Sequence, residues 1–280
     1  MPGKPKFINI SGKLIDLEIP KVMGVLNITP DSFYKGSRYM EENAIITAAG
    51  KMLEEGADFL DVGGYSSRPG AEDISPDEEK KRVLKAIKLI SGEFPAAVIS
   101  VDTFRADIAR EAVLECGARM INDISGGESD RSMFPLIEEL NIPYIMMHMR
   151  GNPRNMQDCI EYDDVVADIL RWFGPKIVSL QSAGVKDIII DPGFGFGKTI
   201  KDNFELLRRL NNFSIAGLPV LVGVSRKSMI WRTLEITPDE SLNGTSVLNT
   251  VALMNGADIL RVHDVKEAVE TIRLFNRIRM

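Results

Sequence analysis

The chain has 280 residues, of which 44% are hydrophobic and 26% are charged, with a formal net charge of −6. This composition is typical of a globular protein, and its acidic balance is opposite to that of most nucleic-acid-binding domains. No apolar run approaches the ~18 residues of a membrane-spanning helix, and the segment MPGKPKFINI lacks the apolar core of a secretion signal. Cys116 and Cys159 form neither a metal motif nor a disulfide framework, so a cytoplasmic location is expected.

The predicted strands begin near the N-terminus. Residues 7–17, FINISGKLIDL, are predicted to form a β-hairpin that plugs one end of the fold. Eight short apolar runs follow, and each is typical of a buried parallel strand. The runs are 22–27, 59–62, 98–102, 120–123, 144–148, 188–191, 220–224 and 259–263.

Amphipathic segments separate these runs. Four of them end in a glycine directly before an apolar run, which is typical of left-handed helix caps. These glycines are Gly56, Gly117, Gly184 and Gly256.

Two helices are predicted most clearly. In SPDEEKKRVLKAIKLI, residues 75–90, Ser75 is the expected N-cap and Glu78 the expected partner in a capping box. Residues 265–278 have the same apolar spacing. Strands alternating with helices predict a closed (β/α)8 TIM barrel with an N-terminal β-hairpin, and residues 1–280 are interpreted as a single domain. An open doubly wound sheet is the alternative.

The stretch DPGFGFGKT, residues 191–199, comes close to two phosphate-binding motifs and matches neither. A P-loop requires a glycine where Pro192 stands. A dinucleotide fingerprint counted from Gly193 would end on Lys198. The stretch is therefore interpreted either as a turn whose glycines let a ligand approach the backbone or as an ordinary turn between a strand and a helix.

Polar side chains end almost every predicted strand. Because the active sites of (β/α)8 barrels lie at the carboxyl ends of the strands, we expect these side chains to form one site. Asp61, Asp123 and His148 have a second interpretation, in which they only satisfy local hydrogen bonds. The strand-end residues are Asn27, Asp61, Asp102, Asn122, Asp123, His148, Asp191, Ser225, Arg226, Lys227, Arg261 and His263.

The predicted site divides by charge. Carboxylate and amide oxygens can accept paired N–H donors from a guanidine-like ring edge, whereas Arg, His and a metal can hold a phosphate or diphosphate. A small anionic substrate with a hydrogen-bond-donor end is therefore expected. The acceptor end comprises Asp102, Asn122 and Asp191, and the basic end comprises Arg68, Lys227, Arg261 and His263.

Eight segments carry a family resemblance from the first predicted barrel strand to the last. They are MGVLNITPDSF (23–33), DVGGYSSRPG (61–70), SVDTF (100–104), INDISGG (121–127), MHMRGNPRNMQ (147–157), DPGFGFGK (191–198), LVGVSRKSMI (221–230) and ILRVHDV (259–265). Together they resemble the dihydropteroate synthase family. The resemblance implies a homodimeric TIM barrel of folate biosynthesis that is the target of sulfonamides. It also implies a Mg²⁺-assisted reaction that joins 4-aminobenzoate to 6-hydroxymethyl-7,8-dihydropterin diphosphate and releases pyrophosphate.

The resemblance also implies roles for individual residues, with Asp102, Lys227, Arg261 and His263 as the catalytic set. The residues implied to bind the pterin are Asp102, Asn122, Asp191 and Lys227, with Arg261 also stacked on its ring. Those implied for the diphosphate are Asn27 as a ligand of Mg²⁺, and Ser67, Arg68, Arg261 and His263. Those implied for the aminobenzoate pocket are Phe33, Phe196, Lys227 and Ser228.

Three further expectations concern the loops. Lys198 is expected near the rim of the site. Residues 29–40 and 65–75 are rich in Pro, Gly and Ser and are predicted to be mobile lids. The family pattern has an acid where this chain has Tyr65, so the role of that position stays open.

Other functions compete with the synthase. Lys227 is also a candidate Schiff-base lysine of an aldolase-like barrel, with its pKa lowered by Arg226. A pterin-dependent methyltransferase would share the acceptor end but would not need Arg261 and His263 as a diphosphate clamp. A non-catalytic pterin-binding protein is the third alternative.

Overall fold

The structure, a computed structural model, describes residues 6–28, 38–65, 74–152, 156 and 160–279. Within these ranges two strands form an antiparallel hairpin and eight form a parallel sheet. The hairpin strands are β1 (Phe7–Ile10) and β2 (Lys13–Asp16). The parallel strands are β3 (Lys21–Asn27), β4 (Phe59–Gly63), β5 (Ile99–Asp102), β6 (Met120–Asp123), β7 (Tyr144–Met147), β8 (Ile188–Asp191), β9 (Leu221–Val222) and β10 (Ile259–Val262).

Helices follow the parallel strands and surround the sheet. None of those in the described ranges is long and apolar enough to cross a bilayer. They are α1 (Arg38–Glu54), α2 (Pro76–Glu93), α3 (Ala106–Cys116), α4 (Met133–Leu140), α5 (Val165–Ser182), α6 (Ile200–Arg208), α7 (Ser228–Leu234), α8 (Leu242–Met254) and α9 (Val265–Arg279), with a 3₁₀ helix at Leu210–Ala216.

The parallel sheet curls into a nearly closed barrel. Its strand order is β8-β7-β6-β5-β4-β3-β10-β9. The two end strands meet at a bridge between Ile190 and Val220, where the Ile190 amide donates to the carbonyl oxygen of Pro219 at 3.0 Å. The predicted (β/α)8 TIM barrel is therefore confirmed, and the alternative of an open doubly wound sheet is wrong.

The seventh predicted run differs most from the structure, because β9 retains only Leu221–Val222 of it. The amide of Val220 donates to the side chain of Asp258 at 2.7 Å, while the carbonyl oxygen of Val224 accepts from the amide of Lys227 at 3.1 Å. The Val220 amide and the Val224 carbonyl therefore bond outside the strand ladder, which an apolar pattern does not reveal.

The barrel interior is layered, because alternate residues of each strand point inward. The lowest layer is apolar and packs against the hairpin through Ile8, Ile10 and Leu17. The predicted plug at this end of the barrel is therefore confirmed. The barrel residues of this cluster are Met23, Phe59, Met120, Ile145, Ile189, Leu221 and Ile259.

Two residues further along the strands, the same alternation brings polar side chains into the interior. The carboxyl ends of the strands thus carry a polar layer above an apolar floor. The first polar layer contains Asp61, Asn122, Asp191 and Arg261, and the next step along the chain gives Asn27, Asp102 and His263.

The predicted glycine caps are confirmed. Gly56, Gly117, Gly184 and Gly256 have φ angles of 100°, 95°, 91° and 94°. Each turns the chain from a helix into the next strand, because a left-handed conformation costs glycine little.

The start of α2 agrees with its prediction only in part. Ser75 is the N-cap, and its hydroxyl accepts from the amide of Glu78 at 3.2 Å. The side chain of Glu78 does not close a capping box, since it accepts from Nε of Arg82 at 2.7 Å. An ion pair one turn along the helix competes here with the cap.

Candidate active site

Asp61 lies at the centre of the polar layer. It is 0% exposed. Its Oδ2 accepts from Nδ2 of Asn122 at 2.8 Å and from Nε of Arg261 at 2.7 Å. Nη2 of Arg261 donates to Oδ2 of Asp102 at 2.6 Å. Strands β4, β5, β6 and β10 are therefore joined by one hydrogen-bonded network at the barrel mouth.

This network corrects the predicted division into an acceptor end and a basic end, because Arg261 is ion-paired with the acids. Burial raises the pKa of Asp102 to about 7, although the nearby Arg261 acts to lower it. Burial acts to lower the pKa of Arg261, but Asp61 and Asp102 raise it above its ordinary value. Arg261 is therefore permanently charged and holds two carboxylates.

Asp191 is placed by the turn that follows β8. Its Oδ1 accepts from the amide of Gly193 at 2.8 Å, and burial raises its pKa. Gly193 has a φ of +73°, and a Cβ at this position would overlap the carbonyl oxygen of His148. The glycine is required by this close approach of the protein's own backbone. The approach of a ligand to the glycines of DPGFGFGKT stays a prediction.

Lys227 lies over the ring of Phe196, with 4.1 Å between its Nζ and the ring centroid. Burial, and secondarily the nearby charge of Arg261, lowers the pKa of Lys227 to about 8. The prediction that Arg226 lowers the pKa of Lys227 is wrong. The guanidinium of Arg226 instead donates to Asp264 at 2.7 and 3.0 Å. Arg226 is thus engaged between the loops after β9 and β10.

Lys198 is not near the rim as predicted. It is 4% exposed. Its Nζ lies 2.8 Å from the carbonyl oxygen of Gly193, 2.9 Å from that of Phe196 and 3.1 Å from Nδ1 of His148. Burial lowers the pKa of Lys198 to about 7. The pKa of His148 is lowered to about 2, chiefly by burial and secondarily by the nearby charge of Lys198. Converging acceptors allow this lysine to be buried.

Asp123 fits the local interpretation. It accepts from the amide of Ser125 at 2.7 Å, from the amide of Gly127 at 2.8 Å and from the hydroxyl of Tyr144 at 2.9 Å. These bonds fix the loop after β6. Asp61 does not fit that interpretation, since its donors are side chains from other strands.

The remaining predicted residues of the described chain line the mouth. Nδ1 of His263 lies 3.0 Å from Oγ of Ser225. Asn27 is the last residue of β3, and Ser228 begins α7 next to Lys227. The structure thus brings these residues to the same end of the barrel as the acceptor network.

An apolar wall lies beside the network. Of its residues, only Phe196 is predicted from the sequence to belong to the site. The period-two spacing of Met147 and Met149 around His148 is the signal from which part of it could have been found. The wall consists of Ile124, Met147, Met149, Met156 and Phe196, with Phe104 packed against it. Hydrogen-bond acceptors in the polar layer, together with the apolar side chains of this wall, suit a flat ring with polar edges.

Several predictions lie outside the described residues, including those for Phe33, Ser67 and Arg68 and most of both predicted lids. Tyr65, the departure from the family pattern, is described. Its ring packs edge-on against Phe104 with the centroids 5.4 Å apart. At this position the chain has an aromatic contact with the site wall.

The described residues at the barrel mouth offer few ligands for a metal ion. Among the residues that the structure describes, no group of three or more His, Cys, Asp or Glu side chains is placed to hold a metal ion. The side-chain oxygen of Asn27 at the mouth is a hard donor, and Mg²⁺ often binds through one or two protein oxygens together with phosphate and water. The residues fit a Mg²⁺ that is bound mainly by a diphosphate.

Comparison with known proteins agrees with this geometry. Residues 23–263 match the sequence profile described as "Pterin binding enzyme". The dihydropteroate synthase of Escherichia coli K12 is 43% identical over 265 residues, covering 94% of this chain and 93% of that protein.

Solved structures agree as well. The Xanthomonas albilineans dihydropteroate synthase with 4-aminobenzoic acid has a TM-score of 0.90 at 36% identity, covering 99% of both chains. The Yersinia pestis dihydropteroate synthase with a sulfonamide drug complex has a TM-score of 0.90 at 38% identity, covering 98% of this chain and 99% of that one. The resemblance inferred from the motifs is confirmed, and the chain belongs to the dihydropteroate synthase family of pterin-binding enzymes.

Proposed function

We propose that the chain condenses 4-aminobenzoate with 6-hydroxymethyl-7,8-dihydropterin diphosphate to give 7,8-dihydropteroate and pyrophosphate. One observation carries the proposal beyond family membership. Acceptors on the partly buried Asp102 and the buried Asn122 and Asp191 meet the cations Arg261 and Lys227 at one barrel mouth. A dihydropterin diphosphate has a ring edge that donates hydrogen bonds and an anionic tail. It therefore needs acceptors and cations in one cavity.

The pterin binds, in this proposal, against the acceptor network. Asp102, Asn122 and Asp191 accept from the N–H groups of its guanidine-like edge. Arg261 stacks on the ring face, and Lys227 donates to a ring acceptor. The wall that includes Met147 and Phe196 covers the apolar surface of the ring.

The aminobenzoate binds between Phe196, Lys227 and Ser228, with Phe33 from the loop after β3. The contact of 4.1 Å between the ammonium of Lys227 and the ring of Phe196 supports this placement, because it sets a cation beside an aromatic surface. The amine of aminobenzoate then points to the pterin methylene.

The chemical step breaks the C–O bond between the methylene carbon and the diphosphate. The electron pair of that bond leaves with the diphosphate, the amine lone pair forms the new C–N bond, and the amine gives a proton to solvent. Arg261 and His263, with Ser67 and Arg68, stabilise the charge that develops on the leaving group. The carboxylate of Asp102 stabilises positive charge on the pterin.

Mg²⁺ would be held on the diphosphate with help from Asn27, where it supplies Lewis-acid stabilisation of the leaving group. No protein nucleophile takes part.

The test is pyrophosphate release by the purified protein with dihydropterin diphosphate and Mg²⁺. Release should depend on 4-aminobenzoate and should be matched by dihydropteroate in equal amount. Pyrophosphate release that is independent of aminobenzoate would contradict the synthase reaction. No release from a protein that still binds pterin in calorimetry would indicate the methyltransferase or the binding protein.

We further infer that residues 1–280 form one domain, a homodimer in the cytoplasm. One barrel core extends from β3 to α9, and the thiol of Cys116 is free and buried, as suits a reducing compartment. Large apolar side chains exposed on neighbouring helices support an interface with a second copy, and sedimentation analysis tests it. These are Leu234, Val247, Met254, Leu274 and Ile278.

A further inference from the structure

Asp61 occupies an unusual place for a carboxylate. It is the third residue of β4 and is fully buried, with Phe59 in the apolar layer below it and Gly63 above it. The strand register aligns Asp61 with Ser100 of β5. The carboxylate therefore projects into the barrel, beneath the position proposed for the pterin, and not toward a loop.

A single oxygen of Asp61 holds two residues of the proposed pterin site. Oδ2 accepts from Nδ2 of Asn122 at 2.8 Å and from Nε of Arg261 at 2.7 Å. The two donors come from β6 and β10, on opposite sides of β4 in the strand order. Asp61 thus links two substrate-binding side chains that do not bond to each other.

The first bond fixes the orientation of an amide. A side-chain amide has a donor end and an acceptor end, so committing the donor determines where the acceptor lies. Because Nδ2 of Asn122 is bound to Asp61, the other end is Oδ1, which is buried without a partner in the part of the chain that the structure describes. Leaving a buried acceptor without a hydrogen bond costs free energy, unless a ligand or water donates to it.

The second bond fixes the plane of a guanidinium. Nε of Arg261 is held by Asp61, and Nη2 is held by Asp102 at 2.6 Å. Two bonds from different nitrogens of a rigid planar group, to carboxylates on different strands, leave it little freedom to rotate. Arg261 therefore offers a fixed flat face to the mouth of the barrel.

Stability alone is a poor explanation for this arrangement. Replacing a buried ion pair by apolar side chains of similar volume is often neutral or stabilising. The neighbouring layer of the barrel is built from such side chains, including Phe59 and Met120. A carboxylate at position 61 is better explained by what it does to Asn122 and Arg261.

We propose that Asp61 is a positioning residue that sets substrate specificity by fixing Asn122 as a hydrogen-bond acceptor and Arg261 as a stacking surface. The inference rests on the proposed pterin site. Asp61 itself does not contact the reacting atoms. With Asn122 fixed in this way, the pocket selects a ring edge that donates hydrogen bonds and rejects one that accepts them.

The experiment compares two ligands in calorimetry: 6-hydroxymethylpterin and its analogue in which oxygen replaces the 2-amino group. The variant Asp61→Leu keeps roughly the side-chain volume and removes the acceptor. We expect pterin affinity to fall about tenfold or more, because Asn122 loses its partner and turns freely. The preference for pterin over the 2-oxo analogue should fall by about tenfold, since a turned amide offers a donor.

Two further variants are controls. Asp61→Asn retains one oxygen for Asn122 and should lose less affinity than Asp61→Leu. Asp258→Asn changes a largely buried aspartate at the opposite end of the barrel, where it accepts from Lys6 at 2.6 Å. It should keep the wild-type affinity and preference.

A second measurement does not depend on the folding of any variant. In the wild-type protein labelled with ¹⁵N-asparagine, the side-chain amide protons of Asn122 should stay protected from exchange with and without pterin. Rapid exchange, or loss of the bond to Asp61 on pterin binding, would overturn the proposal.

The outcomes distinguish a failure of the positioning role of Asp61 from a failure of the proposed function. Asp61→Leu with wild-type pterin affinity, or with an equal loss for both ligands and an unchanged preference, would reject the positioning role. A wild-type protein that binds neither ligand would instead reject the proposed function.

Discussion

The ammonium of Lys198 lies 3.1 Å from Nδ1 of His148 and within 2.9 Å of the carbonyl oxygens of Gly193 and Phe196. One buried side chain therefore ties the glycine-rich loop after β8 to the end of β7. Asp191 ends β8 directly before this loop and Phe196 lies within it, and the two are proposed to contact different substrates. We therefore expect both proposed substrate pockets to be sensitive to the loss of this cross-link.

The variant Lys198→Met is expected to lower the free energy of unfolding by about 2 kcal/mol, because buried carbonyl oxygens lose their donor. The KM for aminobenzoate should rise as Phe196 loses its support. Urea denaturation and steady-state kinetics measure the two effects. The control is Lys201→Met, which changes an exposed lysine on α6 and should leave both quantities unchanged. A wild-type KM in Lys198→Met would contradict the cross-link.

The same lysine predicts a pH dependence of stability. Its pKa is lowered from 10.5 to about 7, chiefly by burial. Between these values the unfolded chain binds the proton and the folded chain does not, so the free energy of unfolding rises with pH. One proton gives at most about 1.4 kcal/mol per pH unit. This contribution is complete above about pH 10.5 and is lost as the pH falls through 7.

The measurement is the difference in unfolding free energy between the wild type and Lys198→Met at pH 7, 8.5 and 10. We expect the difference to increase with pH. A constant difference would mean that Lys198 stays protonated in the folded protein.

Two glycines of positive φ are predicted to respond differently to alanine. Gly193 has a φ of +73° and Gly184 a φ of +91°, but only the Cβ at Gly193 would meet other atoms within 4 Å. Gly184→Ala should cost about 1 kcal/mol from backbone strain alone. Gly193→Ala should cost clearly more and abolish activity, because its Cβ would overlap the carbonyl oxygen of His148. Equal costs in thermal unfolding would contradict the close approach.

Asp102→Ala is expected to weaken pterin binding by about 100-fold, because a partly buried hydrogen-bond acceptor paired with Arg261 is lost. Arg261 retains its bond to Asp61, so the fold should persist. Calorimetry with pterin measures the loss, and Asp107→Ala on the exposed start of α3 is the control. Unchanged pterin affinity in Asp102→Ala would refute its assignment to the pterin site.

Asn27→Ala is expected to raise the Mg²⁺ concentration that gives half-maximal pyrophosphate release by about tenfold. The reason is the loss of the protein oxygen proposed as a ligand. Titration of Mg²⁺ after treatment with a chelator measures the effect. Asn212→Ala, an exposed position on the 3₁₀ helix, is the control. An identical Mg²⁺ requirement in Asn27→Ala would remove this residue from the metal site.

The sequence alone determined the barrel and the end of it at which polar side chains gather. Helix-capping glycines such as Gly117, followed by short apolar runs, predict helices alternating with parallel strands. The same period-two pattern that buries Phe59 also turns Asp61 inward. Local patterns are sufficient for this, because side-chain direction along a strand is set by backbone geometry.

The tertiary structure alone decided how the polar residues pair. Arg261 bonds to Asp61, a residue 200 positions away in the chain, and this contact exists only because the sheet places β4 and β10 on either side of β3. Arg226 bonds to Asp264 because β9 lies next to β10. From the sequence, Arg226 is expected to act on the pKa of its neighbour Lys227.

The burial of Lys198 shows the physical limit most clearly. By residue type a lysine belongs at the surface, since burying its charge costs free energy. Only the folded loop brings the oxygens of Gly193 and Phe196 together around its ammonium. A sequence specifies the side chain, whereas the partners that make burial possible are set by the folded loop and by the pairing of β7 with β8.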